Sequence, residues 1–482
     1  MQLSHTFAAT SAVFDEPNLV SSAGLVPVMG LAESVGLHEL ADAHLSVPGD
    51  KGANAGSKVA SLVAGMVAGA DSIDDMALLR HGGMGRAFTG VYAPSTLGSF
   101  LRSFTFGHVR QLDAVAARLL AGLAASTPLV AGIDDADDTD DTDDNFGSDD
   151  YTAVDVDDTI IEVHGYAKQG AGFGYSGVRG LNALLATVTT SRSAPAIVAQ
   201  RLRKGSCGSA RGAKRLVTDA LKTVNALRGP SRQAPVLVRA DSAFYGRPTI
   251  AAAVGAGAQV SVTVRLDTSV KKAIATVEES AWETIAYPHA VYDETTDRWI
   301  SRAEVAEIPF TAFSGKSKAD QVPGRLVVRR IPDLNTAPGQ DGLFAMWRFH
   351  AFFTTVPTEA MDTVTVDKTH RAHAIIEQVH ADLKNSALAH LPSGRFAANA
   401  AWLVLAVMAF NLTRAAATLT DPALAKATTA TIRAKLIAVP ARLATSARRI
   451  VFHLPAAWPW ETAWTRLFTT VLGCGPPTPA TT

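Results

Sequence analysis

Cysteine is nearly absent, with only Cys207 and Cys474 in 482 residues. Two cysteines build neither a disulfide framework nor a zinc cluster, so the expected setting is a reducing cytosol. The opening MQLSHTFAATSAVFDEP lacks a basic start followed by a long apolar core, and no secretion signal is expected. Long hydrophobic runs are scarce as well. The most apolar stretch, FAANAAWLVLAVMAFNL, is interrupted by Asn399 and Asn411. It falls short of the roughly 20 residues of a bilayer span, so a buried core helix and no membrane contact are expected. Positive charge is missing from one segment, Asp134 to Asp150, which holds ten aspartates and no Lys or Arg.

Taking those ten aspartates away from a chain of formal net charge −1 leaves +9 on the rest. The body is therefore moderately basic and suits a polyanionic partner, although charge sets non-specific attraction and not fold. The acidic run cannot bury apolar area and reads as a flexible linker. As a calcium site it lacks the Gly and terminal Glu spacing of an EF-hand loop. The hydrophobic content of 47% is ordinary for a globular protein. The length exceeds one ordinary core and predicts at least two folded units plus inserts.

Residues 1–125 read as helical and rich in Ala, Leu and Val. APSTLGSFLRSFTFGHVRQLDAVAARLLAGL is a helical pattern with Ser95 as candidate N-cap. Short helices around HGGMGRAF fit either a helix-turn-helix-like DNA reader or a plain helical bundle. Residues 126–152 form the acidic linker. From 153 to 274 the order is strand, strand, strand, helix, strand, helix, strand. The strands are YTAVDVDDTIIEVHG, LNALLATVTT, APAIVAQRL, APVLVRADSAFYG and AQVSVTVRL. This βββαβαβ order predicts an α/β fold with a mixed sheet flanked by helices. Residues 275–345, alternating and broken by Pro and Gly, read as a β-rich insertion. Residues 346–420 resume the core with the strand AMWRFHAFFTTV, one long helix DKTHRAHAIIEQVHADLKN and a second, apolar helix near 394–418. Residues 421–482 read as a tail, helical at first and frayed at the end.

Three carboxylates sit where charge is costly. Asp157 lies mid-strand, Asp241 at the C-terminal end of VLVRAD, and Glu377 on the late helix beside Ile375 and Ile376. α/β sheets present ligands at strand C-termini. A buried carboxylate needs a partner or a metal. Convergent carboxylates without dedicated His or Cys ligands favour Mg²⁺ or Mn²⁺. Two such ions about 4 Å apart activate an attacking oxygen and stabilise a leaving one in phosphodiester chemistry. Asp155 shares a strand face with Asp157 and stands as an outer-shell or alternative ligand, while Asp158 points to the other face. His373, Glu377, His380 and Lys384 follow at spacings of four, three and four, on one helix face. A zinc site from His373, Glu377 and His380 competes with that reading, but HAIIEQVH is not His-Glu-x-x-His.

DVDDTIIEVHGYAKQGAGFGYSGVRGLNALLAT, VLVRADSAFYG and HRAHAIIEQVHADLK…LPSGRFAANAAW together resemble the DDE transposases of bacterial insertion sequences, over roughly residues 20–420. The resemblance is to the group with a β-rich insertion and a Tyr-Arg-Glu-Lys signature, in the RNase H-like superfamily. It implies that Asp157, Asp241 and Glu377 are the catalytic triad, binding two Mg²⁺ for which Mn²⁺ may substitute. It implies that Lys384 contacts DNA phosphate. The signature Arg position is His373 here and the Tyr position is His370, with Arg371 as a replacement charge. Trp299, or else Trp282, is implied as a stacking partner for a flipped base. Basic clusters at 201–215 and 325–330 are candidate backbone contacts. The expected partners are double-stranded DNA, as terminal inverted repeats and target, and a second copy of the chain on DNA. The expected place is the cytoplasm, at the nucleoid. A repressor-like descendant with a dead site, and an RNase H-like nuclease without strand transfer, remain as alternatives.

Overall fold

The computed structural model describes residues 4, 7–133, 151–165, 167–229, 234–285, 292–293, 298–299, 303–332, 347–446 and 449–473. The acidic run 134–150 lies outside them. The chain opens with β1 (Leu19–Val20) and six helices: α1 (Leu25–Ser34), α2 (Leu37–His44), α3 (Ala55–Ala68), α4 (Met84–Ala87), α5 (Pro94–Arg102) and α6 (Phe106–Ser126). The continuous helix expected from Ser95 is broken. Pro94 takes the first position of α5, and the cap residue is Ala93. Thr105 then starts α6 with a capping box, its hydroxyl and the His108 side chain each serving the other's backbone. A well-capped new start is favoured over carrying the helix through Ser103 and Thr105.

The central part supplies β2 (Thr152–Glu162), β3 (Gly172–Phe173), β4 (Arg179–Thr189), β5 (Ala196–Lys204), α7 (Ala213–Leu227), β6 (Val236–Ala240), α8 (Arg247–Gly255), β7 (Gln259–Thr263) and α9 (Thr268–Ile274). The expected order is present, with the two-residue β3 added. Then come β8 (Glu283–Ile285), β9 (Tyr292–Asp293), β10 (Arg298–Trp299), β11 (Ala303–Ala312), β12 (Val322–Pro332) and β13 (Trp347–Thr354). Helices α10 (Thr363–Arg371), α11 (Ile375–Lys384), α12 (Phe396–Thr418), α13 (Pro422–Ala425) and α14 (Thr429–Ile432) follow, and β14 (Ala441–Ser446), β15 (Arg449–His453) and α15 (Glu461–Leu472) close the chain.

A ten-stranded sheet runs β3-β4-β2-β6-β7-β13-β12-β11-β8, with β5 also paired to β4. Strand β4 is antiparallel to β2 and β5, whereas β2, β6 and β7 are mutually parallel. Strand β13 runs antiparallel to β7 and carries β12 and β11 onward. The β-rich insertion is thus built partly as an extension of the central sheet. Antiparallel pairing with β13 satisfies backbone groups that an edge strand would leave open.

Helix α12 explains why the expected separate units share one core. It is 23 residues long, is buried without a break from Ala398 to Ala417, and packs on α3, α6 and β5. Helical side chains from Leu25 to Leu123 therefore join the sheet's apolar residues in one buried cluster. The tail differs from its reading too. Strands β14 and β15 form a hairpin that pairs with β1, and α15 packs on α1. The long helix expected at DKTHRAHAIIEQVHADLKN is interrupted by a tight 3₁₀ turn at Ala372–Ala374, which separates α10 from α11.

Candidate functional site

Strand β2 carries three aspartates, and the fold treats each differently. Asp155 is fully buried, and Arg239 in the neighbouring parallel strand β6 stands directly opposite it. The guanidinium is bidentate: Nε donates to Oδ1 at 2.7 Å and Nη2 to Oδ2 at 2.8 Å. His373 Nδ1 lies 3.0 Å from the same Oδ1. Burial pushes the Asp155 pKa up, but Arg239 and His373 outweigh it and hold the carboxyl below its ordinary value. Asp155 is therefore occupied as half of an ion pair. Asp158, on the opposite face, pairs with Arg203 and accepts from Asn182 Nδ2 at 2.5 Å.

Asp157 is left over. Among the described residues its nearest basic group is His380, whose Nε2 lies 3.5 Å from Oδ2, and it takes no hydrogen bond. One step beyond the last paired residues of β2 and β6, Val156 and Ala240, come Asp157 and Asp241. Adjacent strands lie about 4.8 Å apart, so the two carboxylates are neighbours. Asp241 caps the short turn Ser242–Phe244 by accepting from the Ala243 N–H at 2.9 Å. The cleft walls strip water from it and raise its pKa, and the negative charges of Asp157 and Asp158 add to the rise, against the Ala243 N–H and His373. Both acids line an open cleft of about 1400 Å³.

Other walls of this cleft come from the glycine-rich hairpin with Phe173 and Tyr175, from Cys207 and Arg211, from Arg265, and from Lys384 on α11. The hairpin lies against the loop after β5 at a close approach. A Cβ on Gly205 would collide with the Gly180 and Gly172 carbonyl oxygens. Lys384 keeps an exposed surface, and the part of its side chain that lies against the cleft wall loses enough water to lower its pKa.

Glu377 is exposed and is not among the residues lining the cleft. Seven residues of helix return to within about 20° of the starting direction, so Glu377 and Lys384 share one side of α11. That helix packs on β2, and His380 between them reaches Asp157. Among the described residues no group of three or more His, Cys, Asp or Glu stands close enough to hold a metal ion. The structure thus brings Asp157 and Asp241 together and leaves Glu377 on the facing helix. Two crowded carboxylates, one with a raised pKa, are a donor set that fits a hard divalent cation.

The remaining predicted residues fall in distinct places. His370 accepts or donates at both ring nitrogens, to Ser261 Oγ at 2.8 Å and Thr263 Oγ1 at 3.0 Å, and stacks on Phe352 at 4.0 Å. Burial, with His373 and Arg239 adding, pushes its pKa down to about 3. It is a neutral strut in this state, with both nitrogens engaged. His373 serves Asp155, and Arg371 Nε donates to Asp367 at 2.8 Å. Trp299 lies in β10, and its side chain is outside the described residues. Trp282 packs on Phe349 and is covered by the Arg330 guanidinium, 4.3 Å from its ring. Much of the two basic clusters is consumed internally. Arg201 and Arg203 pair with Asp219 and Asp158, and Arg325 and Arg330 pair with Glu307 and Glu304.

Sequence reasoning missed Arg239 as Asp155's partner and His380 as Asp157's neighbour. A signal for the first existed: an arginine inside the apolar run VLVRAD has to meet an acid. For the second, a buried face of α11 supplied by Ile376, Val379 and Leu383 also carries His380.

No curated protein matches the chain. Residues 8–473 match the family model described as Transposase DDE domain group 1, nearly the whole length. With its two adjacent aspartates in an open cleft and a facing helix bearing the acid and lysine, the chain belongs to the DDE transposases of group 1.

Proposed function

We propose that this transposase cleaves at the terminal inverted repeats of its own insertion sequence and joins the freed 3′-hydroxyl ends to target DNA. The adjacency of Asp157 and Asp241 on parallel strands, both lining one open cleft of about 1400 Å³, carries the reading. The order β5-β4-β2-β6-β7, with the last three parallel, supports an RNase H-like core. Asp157 and Asp241 would hold Mg²⁺, or Mn²⁺, as two ions, with Glu377 as the third carboxylate once α11 closes on bound DNA. The chemistry such ions supply is activation of an attacking oxygen and stabilisation of a leaving one.

The chain's own groups do the positioning. Lys384, exposed at the cleft wall with no described hydrogen bond, meets a phosphate near the cut. Asp157 and Asp241 would hold the cation that draws the scissile phosphodiester to this point of the cleft, since the two carboxylates alone would repel it. Water is the first nucleophile at each element end and frees a 3′-hydroxyl. That hydroxyl would attack the opposite strand's phosphodiester, closing a hairpin and releasing the flanking DNA's 3′-hydroxyl. A second water would reopen the hairpin, and the regenerated 3′-hydroxyl would then attack a target phosphodiester and displace a target 3′-hydroxyl. Most of the rate comes from placement and charge stabilisation. Two copies would span two ends in the cytoplasm, at the nucleoid.

Asp157→Asn and Asp241→Asn are expected to abolish Mg²⁺-dependent cleavage of an inverted-repeat duplex while leaving binding intact. Full cleavage by either variant overturns the assignment. The position of Glu377 outside the cleft lining favours one second reading, a DNA-binding descendant without catalysis. Mn²⁺-dependent nicking of an end-mimicking oligonucleotide by the wild-type chain would dismiss it, and joining of that end separates a transposase from a plain nuclease.

A further inference from the structure

His380 is 6% exposed, and both of its ring nitrogens are buried without a hydrogen-bond partner. A buried polar group left unpaired forfeits its hydration with nothing in exchange and destabilises the fold. A leucine or valine at this position would match Ile376, Val379 and Leu383 around it and cost nothing of that kind. The group that explains an imidazole here is Asp157, whose Oδ2 is 3.5 Å from Nε2. The same strand face offers a completed version one step earlier. There His373, seven residues before His380, meets Asp155 with Nδ1 at 3.0 Å. Asp155 and Asp157 are therefore each faced by one histidine from the α10–α11 segment, and only the first contact is closed.

We propose that His380 is the positioning residue for Asp157. Its Nε2–H donates to Oδ2 after an approach of about 0.6 Å, to the usual N–H···O distance near 2.9 Å. That bond holds one carboxylate oxygen against α11 and turns the other, Oδ1, into the cleft. It also ties the helix that carries Glu377 to the strand that carries Asp157. Partners that orient a ligating carboxylate in this manner change metal affinity about 10–100-fold when removed. The inference rests on the reading of Asp157 as a metal-holding carboxylate.

The test is Mn²⁺ binding to the full-length chain, followed by isothermal titration alongside cleavage and melting temperature. His380→Leu fills the space without a donor and is expected to weaken Mn²⁺ binding at least ten-fold. Its melting temperature should stay level or rise, because an unpaired buried polar group is gone. His380→Gln keeps an N–H donor and is expected to recover much of the affinity. Should His380→Leu misfold, His380→Phe replaces it as a ring of similar shape. Wild-type Mn²⁺ affinity in the apolar variant, or equal losses in the apolar and Gln variants, overturns the proposal. Asp157→Asn is the separate control: if it binds Mn²⁺ as the wild type does, the metal-site reading fails; if it alone loses Mn²⁺, only the role of His380 fails.

Discussion

Replacing Arg239 with methionine isolates the ion pair beneath the cleft. Asp155 is 0% exposed and Arg239 3%, so water cannot take over for either partner. Arg239→Met removes two charge-assisted hydrogen bonds to the carboxylate and one, at 2.6 Å, to the Thr369 carbonyl oxygen. His373 alone then faces Asp155. Leaving one member of a buried pair behind costs about 3–5 kcal/mol, whereas replacing both members with apolar side chains is often neutral. Arg239→Met is therefore expected to lose that much in urea unfolding, and Asp155→Leu/Arg239→Met to recover most of it. The pH dependence should change sign as well. In the wild type the folded pKa of Asp155 lies below its ordinary 3.8, so its contribution is present above 3.8 and lost as the pH falls through the folded value. In Arg239→Met burial dominates, the folded carboxyl holds its proton more tightly than the unfolded one, and stability rises as the pH falls from neutrality. A single variant within about 1 kcal/mol of wild type, or a double variant less stable than the single, would refute the reasoning.

Lys384→Ala should lower the slope of log affinity against log salt for an end duplex by about one, the share of a single phosphate contact. An unchanged slope removes Lys384 from the interface. His370, with its pKa pushed down from 6.5 to about 3, stabilises the fold fully above pH 6.5. That contribution declines as the pH falls through the window between those values, at no more than about 1.4 kcal/mol per pH unit. His370→Phe keeps the stack on Phe352 and should flatten the decline; an equally steep loss in acid unfolding of the variant would show that another group titrates.

The strands and helices of the sheet were readable because their periods are local. β2, β4, β5, β6 and β7 follow apolar runs bounded by Gly, Pro and Asp, and α7 follows a 3.6-residue pattern. The carboxylates were readable as misfits in those patterns. Less readable were the breaks: α5 and α6 separate at Thr105, and α10 and α11 at Ala372–Ala374, where apolar periodicity continues across the junction. The tail's hairpin escaped detection because its pairing partner, β1, lies some four hundred residues away in the chain.

What the sequence by itself determined is the set of elements, their order and the three acids that do not belong in apolar surroundings, because each is a property of a few neighbouring residues. What only the tertiary structure decided is which aspartate is free. Asp155, Asp157 and Asp158 are nearly indistinguishable as letters in one strand. Arg239, 84 residues on, and His373, 218 residues on, claim the first; Arg203 claims the third. Charge in a low-dielectric interior is settled by whichever partner folding brings within hydrogen-bond reach, and no local pattern records that choice.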